Sequence, residues 1–134
     1  MPGVVVPVRY PLSDYSRATL SEAADVARDR DAALTVLHVD LYQNEGKVTR
    51  RQLKDAVERA FGKLPDVRYV VRRGMLVEET ILEEAAAEEA DVVVIGKKQA
   101  GRWQRMIRRV VDDPDIEDFL GEELDCRVLT VSPQ

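Results

Sequence analysis

Residues 88–96 read EEADVVVIG: a polar half, then four β-branched residues in a row, then glycine. The polar half closes a helix, with Asp91 read as its end. Residues 92–95 are too few for a helix and too apolar for a surface strand, so they form a strand buried on both faces. A strand with no polar alternate belongs in a parallel sheet covered by helices on both sides. This stretch decides the fold, provided its neighbours alternate in the same way.

They do. Upstream, Val77, Ile81, Leu82, Ala85 and Ala86 recur at helical spacing. The pairs Glu78-Glu79, Glu83-Glu84 and Glu88-Glu89 are read as that helix's solvated face. Gly74 marks a turn, and residues 67–71 form a strand that Arg68 demotes to an edge. Leu53, Val57, Ala60 and Phe61 stripe the preceding helix, which opens on a capping-box pair, Thr49 and Gln52, and ends at Gly62 and Pro65. Residues 34–39 (LTVLHV) form the second strand. A first helix with a small apolar face (Leu20, Ala23, Ala24, Ala27) is capped by Ser13 or Asp14, and residues 4–8 form the first strand. Downstream, residues 96–101 read as a basic loop. Trp103, Met106, Ile107, Val110 and Val111 have helical spacing, and Asp113-Pro114 opens a last helix. Residues 128–131 are the final strand. The fold class is α/β: one domain over 1–134, a doubly wound five-stranded parallel sheet with helices on both faces.

With 134 residues and a formal net charge of −5, the chain has the length of one self-supporting domain. No apolar run approaches the roughly 18 residues that span a bilayer. The opening MPGVVVPVRYP lacks a basic leader region. Cys126 stands alone, which fits a reducing compartment. These features predict a cytoplasmic protein with no membrane partner.

In a doubly wound sheet, ligands sit beyond the carboxyl ends of the strands at the switch point. That rule selects residues 9–14 and 96–102, flanked by the loops near Asp40 and Gly74. Chemistry-bearing motifs are sparse: no catalytic residues are predicted, and a single histidine offers no zinc set. His38 reads as a core histidine bonded to backbone. Lys97, Lys98, Arg102, Arg105, Arg108 and Arg109, with Trp103 among them, could form a nucleic-acid patch; a solvated amphipathic helix is the favoured reading, and nucleic acid is not expected as a partner.

The order VVVPV, Ala-rich helix, LTVLHV, Gly74 turn, EEADVVVIG and CRVLTV resembles the universal stress protein family from Val4 to Val131. The resemblance implies an adenine nucleotide alpha hydrolase-like fold, a stress-response role, and a homodimer through the last strand, with Val128 and Val131 at the interface. It also implies a nucleotide site: Pro7, Val8, Arg9, Val39, Gly74, Gly96, Lys97, Lys98, Gly101 and Arg102 are the candidate ligand-binding residues. Many members bind ATP through glycines after the fourth strand. Here Gly96 fits, but Gln99 stands at the next glycine position, with Gly101 beyond it. Pro114-Asp115 replaces the closing Gly-Ser, and Arg9 replaces the acid after the first strand. Asp112, Asp113 and Asp115 would repel a triphosphate at that helix start. The reading is a regulatory, ligand-binding protein without the family's usual ATP pose and without catalysis. ATP held by a rewired loop of Lys97, Lys98 and Arg102 is the alternative, and nucleic-acid binding through 97–109 is a second.

Overall fold

The computed structural model describes residues 3–43, 47–97, 100–101 and 127–131. Its elements run β1 (Gly3–Pro7), α1 (Asp14–Asp29), β2 (Ala33–Leu41), α2 (Arg50–Phe61), β3 (Val67–Gly74), α3 (Val77–Ala87), β4 (Val92–Gly96) and β5 (Arg127–Val131). The strands form one sheet in the order β3-β2-β1-β4-β5, parallel throughout. β3 is an edge, as Arg68 suggested.

Side-chain alternation along each strand divides the core into two layers. Val4, Val6 and Val8, with Leu34, Val36, Val92 and Val94, pack under α1 and α2 against Leu20, Ala23, Leu53 and Val57. Val5, Leu37, Val39, Val93 and Ile95 face the other way, against Ile81 and Ala85 of α3 and Ala100. Among the described residues, no helix is long and apolar enough to cross a membrane.

Local chemistry sets the helix ends. The Ser13 side chain accepts from the Ser16 amide at 3.1 Å, so Ser13 rather than Asp14 caps α1. Thr49 and Gln52 close the expected capping box on α2. α3 stops at Ala87, before Asp91. Asp91 instead clamps the amino end of β1: Gly3 N donates to its Oδ2 at 2.8 Å, and its own amide donates to Gly3 O at 2.9 Å. Lys97, Ala100 and Gly101 are helical where a loop was expected. The helices predicted over 103–111 and from Asp113 onward, and Cys126, lie outside the described residues.

The glutamate face needs correction. Glu84 is only 7% exposed, and Glu88 is turned over the sheet rather than outward. Thr35 Oγ1, itself buried, donates to Glu88 Oε2 at 2.9 Å, and Arg68 pairs with Glu88 at 3.0 Å. Arg72 approaches Glu84 at 3.5 Å and Glu83 at 3.7 Å. The reason is helical phase: Glu84 follows Ile81 by three residues and so shares its inward side. Ala86, assigned to the stripe, is exposed, as is Ala60 of α2.

Burial, and then the neighbouring Glu88 charge, raise the Glu84 carboxyl above its ordinary value, against the opposing pull of Arg72 and Arg68. A group raised in the folded state binds its proton more tightly folded than unfolded. Its stabilising contribution is therefore full below the ordinary carboxylate range and is lost as pH rises through the raised value. Glu84→Gln is expected to gain stability relative to the parent as pH rises toward neutrality, in urea unfolding across that range. A difference that shrinks with rising pH would contradict this account.

Candidate functional site

Beyond the carboxyl ends of β1, β2 and β4, the structure holds a crevice of about 670 Å3. It lies at the switch point, where the order passes from β1 to β4 and the chain reverses its direction of growth. The β1–β2 pairing runs the full length of β1, from Gly3↔Ala33 to Pro7↔Leu37. The β1–β4 register holds only Val4↔Val92 and Val5↔Val93. Past Val5 the β1–β4 ladder ends, as Pro7 has no N–H to continue it, and Pro7, Val8 and Gly96 line the crevice.

Of the expected site residues, Pro7, Val8, Arg9, Val39 and Gly96 line this crevice. Gly74 is committed to packing instead. It lies against buried Thr80, and its carbonyl accepts from the Tyr42 amide at 3.0 Å. Lys97 is exposed and Gly101 half-buried, and neither is among the lining residues. Lys98 and Arg102 lie outside the described residues, as does the rest of the basic segment. Val128 is 3% exposed, buried in the α3-side core rather than presented on the surface. Val131 is half-buried against the other layer, on edge strand β5.

Several lining residues were not on the expected list. The first turns of α1 bring Ser13, Ser16 and Thr19 to the crevice. They fall three residues apart, so they continue the inward stripe of Leu20 and Ala23 with hydroxyls in place of methyls. That spacing is legible in sequence once the direction of the stripe is known. Ser16 Oγ accepts from the Arg9 amide at 2.9 Å and fixes the turn after β1. Thr19 donates to Tyr15 O at 2.8 Å. A Cβ on Gly96 would come within 3.1 Å of Thr19 Oγ1, so only glycine lets β4 approach α1 without displacement.

β2 supplies the floor through His38 and Asp40, which share the α1 side of the sheet with Leu34 and Val36. His38 Nδ1 lies 3.0 Å from the Val8 carbonyl, the backbone bond expected of it. A carbonyl only accepts, so Nδ1 carries a proton, and in the neutral ring Nε2 is then an acceptor. The Tyr10 ring meets His38 edge-on, with centroids 6.2 Å apart. Arg9 and Lys47 add two cations to the lining, and neither is in an ion pair among the described residues. Among those residues no cluster of three or more His, Cys, Asp or Glu is placed to hold a metal ion.

A doubly wound parallel sheet with a crevice at its switch point defines the class: an α/β domain with an open cleft at its strand ends. The chain belongs to the universal stress protein family, whose pattern it matches over residues 3–114. Among curated proteins, none matches it. It is similar in fold to a universal stress protein solved in complex with cAMP, at TM-score 0.64 and 18% identity over 97% of each chain. A universal stress protein from Archaeoglobus fulgidus in complex with dAMP is similar at TM-score 0.56 and 21% identity, over 97% of this chain and 96% of that one. UspA from Lactobacillus plantarum gives TM-score 0.57 and 18% identity over 97% of both chains.

Proposed function

We propose that this chain is a cytoplasmic, homodimeric regulatory protein of stress response that binds a small nucleotide-type ligand in the crevice and does not chemically convert it. The open crevice with Arg9 and Lys47 on its wall carries the reading. Two cations without an ion-pair partner among the described residues suit an anion such as a phosphate monoester. Fold relatives solved with cAMP and dAMP support a mononucleotide as the ligand class. The triphosphate pose of the family is disfavoured by the departures after Gly96 and by the acids at 112–115. Among the described residues, β5 is an edge strand with one side of its backbone unpaired, which supports association through that edge.

Calorimetry with AMP, and with ATP and magnesium, tests this reading. AMP is expected to bind at least as tightly as ATP, with no ADP released above background and a dimer mass by light scattering. Tight ATP binding with turnover, lost in Gly96→Val, would favour the rewired phosphate loop. A monomer at high micromolar concentration would remove the dimer.

A further inference from the structure

Asp40 is 3% exposed, yet it lines an open crevice. Its Oδ2 accepts one long hydrogen bond, from the Val48 amide at 3.3 Å. Its Oδ1 accepts none among the described residues, and no salt bridge reaches the carboxylate. A carboxylate offers about four acceptor sites, so Asp40 keeps acceptor capacity for a group that enters the crevice. Two residues earlier on the same strand face, His38 is 9% exposed and has Nδ1 engaged with Val8 O. In the neutral ring its Nε2 is a further acceptor. Asp40 thus gives the floor a carboxylate acceptor, while the lining also carries Arg9 and Lys47.

We infer that Asp40, supported by His38, reads the vicinal hydroxyls of a ribosyl group. A ligand that satisfies this floor must bring donors there. A cationic amine would supply donors but would meet the Arg9 and Lys47 charges. A ribosyl phosphate meets both demands, with neutral hydroxyl donors for Asp40 and an anion for the wall. A carboxylate that takes ribose hydroxyls is an established solution in doubly wound nucleotide-binding sheets. Arg9 occupies the turn after β1, and Asp14, at the end of that loop, is not among the lining residues; the end of β2 supplies a carboxylate that is. The inference rests on the nucleotide reading above and assigns the residue that selects the sugar.

The test compares AMP with 2′-deoxy-AMP by calorimetry on the full chain. The parent is expected to bind AMP about tenfold tighter or better, the scale of one hydrogen bond to a charged group. Asp40→Asn keeps an oxygen for Val48 but offers one acceptor in place of two, so the preference is expected to fall to about twofold or less. Its melting curve shows whether it is folded; if it is not, the comparison in the parent decides alone. Equal affinity of the parent for the two nucleotides overturns the assignment and leaves nucleotide binding intact. So does a folded Asp40→Asn that keeps the full preference. If the parent binds neither nucleotide, both readings fall together.

Discussion

Leu20→Ala is expected to lower the unfolding free energy by about 3 kcal/mol, within the range for buried leucines cut to alanine. Leu20 is fully buried in the α1 side of the core, in one cluster with Val4, Val6, Val36, Val92 and Val94. Those neighbours are short, branched and fixed to sheet backbone, so they cannot fold inward over the space left. The loss includes both the transfer free energy of the removed carbons and the cavity that remains. At this chain length the melting temperature should fall by roughly 10 °C. Met75, 73% exposed, provides the control: Met75→Ala should change stability by no more than about 0.5 kcal/mol. Equal effects for the two variants would mean that the α1 layer is not packed as described.

Gly74→Ala is expected to destabilise by about 2 kcal/mol, although it adds one carbon. The backbone at Gly74 is ordinary; the obstacle is the Thr80 side chain, whose Oγ1 occupies the place of the new Cβ. Thr80 has little freedom to turn aside. It is buried, and its hydroxyl donates to Leu76 O at 2.8 Å in the first turn of α3. That turn has no side-chain cap hydrogen bond at Leu76, so the Thr80 bond is part of what holds it. Val77, in the same turn, lines the crevice. A double-mutant cycle with Thr80→Ala gives the decisive measurement. If the conflict is steric, the pair should cost less than the sum of the singles by on the order of 1 kcal/mol. Strict additivity in chemical denaturation would refute that cause.

The five strands and the helices α1, α2 and α3 were legible because each strand keeps its own pattern. Residues 92–95 are apolar throughout, as a doubly covered strand must be, and Arg68 marks an edge. Cap chemistry was equally readable at Thr49 and Gln52. The site was legible in position but only partly in content. Strand ends locate a crevice, yet a strand pattern does not say where the covering helix stops. His38 and Asp40 fall on the same face as Leu34 and Val36, and by period alone they belong to the core. They meet the crevice because the inward face of α1 turns polar at Thr19, Ser16 and Ser13. Glu84 failed for a related reason. Neighbouring helical residues differ by about 100°, so a Glu-Glu pair cannot be assigned outward as a unit.

The β1–β4 seam is clamped at one end and unladdered at the other. Asp91 holds Gly3 through two hydrogen bonds at the amino end, two residue pairs follow, and then the ladder ends and the crevice begins. Mechanically this is a peg, with its spring at Asp91 and its jaws at Val8 and Gly96. The jaws are stiffened from the side where α1 passes close to Gly96 at Thr19. The spring lies at the far end of the sheet from anything held in the jaws. A weakened spring, as in Asp91→Ala, would therefore loosen the grip of the jaws without altering a single residue that lines them.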